Sequence, residues 1–278
     1  MDKARIKRGV KWALIALVVA VALIHIVHAL TLDRIIQYKE VPFFSESFPA
    51  QLSGYTVAFI TDTHALPHNR LMRVVERLNE RQVDLLLLGG DFEQHGEELL
   101  QTMALFSQIA TTDGIFGVDG NHDRYAELFA AFEQHGIVPL SNSGLHIHEG
   151  FYLAGVEDLW RRSPDIAQAT SGALPDDFVL LVSHNPDVTM RQYTGNVDLI
   201  LSGHTHGGNV TFFGLWAPAL THTRIATHYG QRFMSGWAQS RDGVPVFVSN
   251  GTGQYFMRVF ARPQVILLTL HSQQGENA

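Results

Sequence analysis

Five apolar runs in this 278-residue chain each end in a short cluster of residues that can bind metal. Tyr55 to Thr61 is followed by Asp62 and His64 in DTH, Val83 to Leu88 by Asp91 in GGD, and Ile115 to Val118 by Asn121 and His122 in GNHD. Phe178 to Val182 precedes His184 in SHNPD, and Val197 to Leu201 precedes His204 and His206 in GHTHGG. Short continuous apolar runs read as buried strands. Amphipathic stretches follow the first three: Leu71, Val74, Val75 and Leu78 share a helical face, as do Leu99, Leu100, Met103 and Phe106. A third face joins Tyr125, Leu128, Phe129 and Phe132, with Gly136 as its stop. Strand, ligand and helix in repetition place the polar clusters in the crevice beyond the carboxyl ends of sheet strands.

Further strands are predicted at Phe151 to Val156, Val210 to Phe213, Val244 to Val248 and Val265 to Leu270, joined by turns and therefore with more antiparallel pairing. Residues 33–54 read as a linker with one early strand before Pro42 and breakers at Pro49 and Gly54. One domain of mixed sheets with helices outside accounts for residues 55–278.

Trp12 to Leu32 is a run of 21 residues without a formal charge, preceded by Lys3, Arg5, Lys7, Arg8 and Lys11. As a helix it is long enough for the roughly 30 Å hydrocarbon core of a bilayer. The basic residues before it predict a cytoplasmic N-terminus, with the body of the chain outside the cytoplasmic membrane. His25 and His28 are its only strongly polar members. Val27, His28 and Ala29 also resemble a signal-peptidase site, so a cleaved signal is a second reading of residues 1–32, and a buried core helix a third.

The chain's formal charge of -7 includes a positive first eleven residues, so the remaining body is more acidic than the total. An acidic body with no basic run lacks the footprint of a nucleic-acid-binding protein. The absence of cysteine excludes disulfides, thiolate metal sites and cysteine nucleophiles.

Taken one at a time, DTH and GGD are what ordinary strand ends and turns also contain. GNHD concentrates more polar groups than a turn requires, and the two histidines of GHTHGG point the same way on an extended segment. Carboxylate, amide oxygen and imidazole together suit first-row divalent ions, and paired metals are a recurrent device for cleaving phosphate esters. From Gly54 onward the five ordered motifs resemble the calcineurin-like metallophosphoesterase superfamily, in its bacterial membrane-associated YaeI/YkuE-type branch.

That resemblance implies an α/β (α+β) four-layer sandwich, two mixed β-sheets flanked by helices, preceded here by a transmembrane signal anchor. It implies two divalent cations, manganese, zinc or iron. Asp62, His64 and His206 would hold the first, Asn121, His184 and His204 the second, and Asp91 would bridge them. It further implies a phosphodiesterase or phosphatase in which a hydroxide held between the metals attacks, with His122 as the catalytic acid. The substrate would be a small phosphoester or a lipid phosphate.

The sequence departs from protein-phosphatase relatives at Gln94, where they carry the Asp that steadies the acid; Asp123 and Glu93 are candidate substitutes between which spacing does not decide. Asn209 stands where Gln is common in the branch. His68 and His95, just past ligand-bearing strand ends, are candidates for substrate contact, and so is the Asn250, Gly251 and Gly253 loop. Two other functions fit the same residues: a UDP-linked lipid pyrophosphatase, which requires a cytoplasmic site, and a membrane-tethered binding protein without turnover.

Overall fold

The structure is a computed structural model that describes residues 3–222, 226–253 and 257–273. Two six-stranded sheets lie face to face. The first runs β1 (Gln37–Ser45), β12 (Gln264–Ser272), β2 (Tyr55–Ile60), β3 (Leu85–Leu88), β4 (Ile115–Gly117) and β5 (Val138–Pro139). The second runs β10 (Gly236–Gln239), β11 (Pro245–Val248), β9 (Leu199–Ser202), β8 (Phe178–Val182), β7 (Phe151–Gly155) and β6 (Ser143–His148).

Alternation along each strand decides which core a side chain enters. Val57 and Phe59 of β2 and Leu85 and Leu87 of β3 meet Phe178, Leu180 and Val182 of β8 between the sheets. Ala58, Ile60, Leu86 and Leu88 point the other way, against helices α2 (His68–Arg81), α3 (Gly96–Phe106) and α4 (Tyr125–Gln134). The predicted face of α2 is its buried face, Leu71, Val74, Val75 and Leu78. On the outer side of the second sheet the helices are single turns, such as Ile166–Ala169 and Val188–Arg191. The strand–ligand–helix rhythm therefore fades after the third motif.

The early strand continues through Pro42 to Ser45, paired in parallel with β12 along its whole length. Pro42 is tolerated because β1 is an edge strand. β7 and β11 each have one antiparallel and one parallel neighbour, so the pairing is more mixed than their short connections imply. No strand forms at Val210 to Phe213, where only the isolated bridges Val210↔Val259 and Phe212↔Trp216 occur. Left-handed backbone at Asn209, Phe213 and Gly214 turns that β-rich run into a tight loop.

Helix α1 (Lys3–Leu30) precedes the sheets. It is long and apolar enough to cross a membrane, and none of its most apolar window is buried. A buried core helix is thereby overturned for this segment.

Candidate metal centre

The ligand-bearing loops leave their strands in left-handed conformations: φ is positive at Asp62, His64, Asp91, Glu93, His204 and His206. Such backbone costs about 1–3 kcal/mol per residue and persists where surrounding contacts over-determine it. Here the DTH and GGD loops brace each other, with the amides of Asp62, His64 and Ala65 donating to the carbonyls of Gly90, Asp91 and Phe92. Gly120 and Gly203 allow the approach. A Cβ at Gly120 would stand 2.2 Å from Asp91 Oδ1, and one at Gly203 would stand 2.2 Å from Asp62 Oδ2.

Two buried groups of donors result, Asp62 with His64 and His206, and Asp91 with His184 and His204, each with ligand atoms within 4.8 Å of one another. In the first, His64 Nε2 and His206 Nε2 are 3.0 Å apart, and Asp62 Oδ1 is 3.5 Å from His206 Nε2. In the second, His184 Nε2 lies 3.2 Å from Asp91 Oδ2, from Asn121 Oδ1 and from His204 Nδ1. Asp91 Oδ2 is also 3.7 Å from His64 Nε2, which places it between the groups. Donors about 2.1 Å from one cation lie about 3.0 Å apart at a right angle and about 3.4 Å at the tetrahedral angle. The shorter of these spacings are those of donors to a common divalent cation in each group, and every expected ligand lies in this one cluster.

Burial alone would raise the Asp91 carboxyl, but the charges and hydrogen bond of His184, with His64 beyond, hold it well below the usual range. The same contact overcomes desolvation to lift His184 well above an ordinary imidazole. Burial and the neighbouring His184 depress His204 to about 3, and burial together with Arg258 pushes His206 well down. His204 and His206 are therefore neutral at pH 7, the form that binds metal. His184 Nδ1 donates to the Gly89 carbonyl at 2.8 Å, which directs Nε2 into the cluster.

His122 lies at the rim, its side chain 35 % exposed, and its amide donates to Asp91 Oδ1 at 2.8 Å. Its Nδ1 is 3.9 Å from Glu93 Oε1, while Glu93 Oε2 accepts from His64 Nδ1 at 2.9 Å. Gln94 is turned away and accepts a hydrogen bond from Thr102 on α3. Asp123 is wholly occupied by backbone, accepting from the amides of Asp91, Phe92, Glu93 and Gly120. Of the groups weighed at this position, Glu93 is the carboxylate that faces His122.

His68 is held by Thr102 at 3.1 Å, and His95 lies 3.7 Å from Glu127 at the surface, so both turn toward the helices rather than the donors. The Asn250 loop does reach the cluster: a Cβ at Gly251 would stand 2.6 Å from Asp62 Cβ. Residues 254–256 of that stretch lie outside the described residues.

Arg258 is a buried neighbour of the cluster with no signal in the sequence. It is 1 % exposed and binds the carbonyls of Gly253, Asn250 and Ala261. It also approaches the His206 carbonyl at 3.4 Å. Beside His122 a cavity of about 420 Å³ opens, lined by Arg124, Arg161 and Arg162 and by Asp119 and Asp123, together with Asn121 and Tyr125.

The calcineurin-like phosphoesterase family model matches residues 55–208. An "uncharacterized metallophosphoesterase" of Helicobacter pylori is 26% identical over 84% of this chain and 63% of its own length. The Danio rerio "transmembrane protein with metallophosphoesterase domain" is 27% identical over 81% of this chain and 55% of its own length. Bacillus subtilis YkuE, an "uncharacterized metallophosphoesterase", is 24% identical over 86% of this chain and 87% of its own. The chain thus spans less than two thirds of the first two relatives.

Proposed function

Since the chain belongs to the calcineurin-like phosphoesterase family, we propose that it is a membrane-anchored, binuclear metal-dependent phosphoesterase. The observation that carries this reading is the pair of buried donor groups with Asp91 Oδ2 between them, at the spacings two cations require. Manganese, zinc or iron suits this mixture of imidazole and oxygen donors. When bound, such a pair polarises phosphoryl oxygens and lowers the pKa of water to near neutrality.

The chain's own residues supply the rest. The arginines of the cavity neutralise phosphoryl charge that the acidic body would otherwise repel. His122, its Nδ1 turned to Glu93, gives a proton from Nε2 to the departing oxygen. With α1 spanning the bilayer and its basic end in the cytoplasm, the donor cluster faces away from the cytoplasm.

The purified chain loaded with manganese or zinc should hydrolyse bis-p-nitrophenyl phosphate or p-nitrophenyl phosphate; inertness toward both with either metal would overturn the reading. An Asp91→Asn variant with full activity would remove the two-metal mechanism. The arginine-lined cavity beside His122 favours one second reading, a nucleotide-linked lipid diphosphate whose other phosphate sits there. That reaction needs a cytoplasmic site, so a fusion reporter at Ala278 that works only outside the cytoplasm excludes it.

A further inference from the structure

Among residues 5–30 of α1, only Val21, His25, His28 and Ala29 are partly buried, a stripe at helical spacing near the end of the helix. That stripe meets an aromatic loop. The His25 ring lies 4.5 Å from Phe213, 4.9 Å from Phe260 and 5.4 Å from Phe212, and His28 stacks on Phe260 at 3.8 Å. His28 Nδ1 is 2.7 Å from Asp33, whose buried carboxylate accepts the amides of Phe260 and Ala261 at 2.8 and 3.2 Å. The last turns of α1 are thus clasped to the loop rather than hinged away from it.

Beside this clasp large apolar side chains stand exposed: Phe212 is 52 %, Leu215 80 %, Trp216 45 % and Met257 58 % exposed. They continue the exposed apolar surface of α1. At about 1.5 Å per residue, His25 sits about 10 Å below the end of the apolar run at Leu32. A helix that fills the hydrocarbon core therefore carries Phe212 and Phe213 to the depth of roughly 5–10 Å where interfacial apolar groups reside. Trp216 belongs to the residue type that gathers at that level. The two histidines, costly if bare in lipid, are covered by these same rings.

We propose that the Phe212–Trp216 loop, together with Met257 and Phe260, is a lipid-docking surface continuous with α1, which seats the metal centre at the bilayer. His206 precedes Phe212 by six residues, a reach of at most about 20 Å. Arg258, in contact with His206, is two residues from Phe260. The substrate class that follows is a phosphoester carried by a membrane amphiphile; this step rests on the phosphoesterase reading, whereas the docking surface does not.

Because the chain has no cysteine, Leu215→Cys can carry a single nitroxide on the full chain in phosphatidylcholine–phosphatidylglycerol nanodiscs. Its oxygen accessibility relative to a nickel chelate should exceed several-fold that of Tyr193→Cys, a 70 % exposed site on the body. Equal ratios at the two positions, or spin–spin broadening that assigns the surface to a second copy, would overturn docking.

The substrate arm compares hexadecyl p-nitrophenyl phosphate in vesicles with its ethyl analogue in water, esters that differ only in the tail. Leu215→Asp with Trp216→Asp should lower the hexadecyl-to-ethyl ratio of kcat/KM about tenfold. An unchanged ratio would overturn the lipid substrate class. If the parent chain cleaves neither ester, it is the phosphoesterase reading that fails, and the nitroxide still decides docking.

Discussion

Replacing Glu93 by Gln preserves the side chain's shape and removes its charge, which separates two tasks that the wild-type residue joins. Its Oε2 accepts from His64 Nδ1 at 2.9 Å, and its Oε1 stands 3.9 Å from His122 Nδ1. At about 4 Å, attraction between the carboxylate and a protonated imidazole ranges from about 1 kcal/mol in water to about 4 kcal/mol near a protein surface. Both side chains are 35 % exposed, so solvent screening holds the value near the lower end, about 1–1.5 kcal/mol. That is about a tenfold loss of rate wherever His122 must donate a proton, and little loss where the leaving group departs unaided. The assay compares p-nitrophenyl and phenyl esters of the same phosphate at saturating metal, so that weaker metal binding through His64 does not contribute. Glu93→Gln should lower kcat on the phenyl ester about tenfold more than on the p-nitrophenyl ester. Equal losses on both would refute the coupling to His122 and leave Glu93 as a support for His64 alone.

Three further outcomes follow from the same geometry. Gly203→Ala would drive a Cβ to 2.2 Å from Asp62 Oδ2, so metal content by elemental analysis should fall at least about tenfold while the circular dichroism of the sheets is retained. Metal uptake at pH 7 should release about one proton, seen calorimetrically in buffers of different ionisation enthalpy. The sign comes from His184: its raised pKa means that the metal-free chain holds a proton there at neutral pH and loses it only as pH rises through that value. His204 and His206, lowered by burial, have none to give, so affinity should climb with pH, and zero release would contradict the assignment. Asp33→Asn removes the charge that joins His28 to the amides of Phe260 and Ala261. Hydrogen exchange at those amides should accelerate about tenfold or more, reflecting the roughly 1–3 kcal/mol of a charge-assisted contact.

The helices α2 to α4 and the donor clusters were legible because each leaves a periodic or positional trace: apolar residues at helical spacing, or polar groups gathered where an apolar run stops. The Val210 to Phe213 run was misleading for a physical reason, since its β-rich side chains carry no sign of the left-handed backbone at Asn209 and Phe213. Arg258 was invisible because a buried arginine that binds carbonyls is written with the same letter as an exposed one. His25 and His28 stand out in the sequence only as the strongly polar members of the apolar run, and their packing on Phe213 and Phe260 is visible only in the fold.

The group that steadies His122 shows where spacing stops informing. Asp123 adjoins it in the chain while Glu93 and Gln94 come from the GGD loop nearly thirty residues earlier, and only the fold distributes their work. Asp123 clamps the amides of Asp91, Phe92 and Glu93 at 2.8, 2.8 and 3.3 Å. Burial and the nearby Asp91 push its carboxyl up to about 6. Its ionised form therefore depends on those backbone donors as much as they depend on it. One loop thus presents both the carboxylate between the donor groups and the carboxylate facing His122, so neither can move without the other. A change at Asp123 should consequently disturb metal binding and leaving-group dependence together, whereas a change at Glu93 separates them.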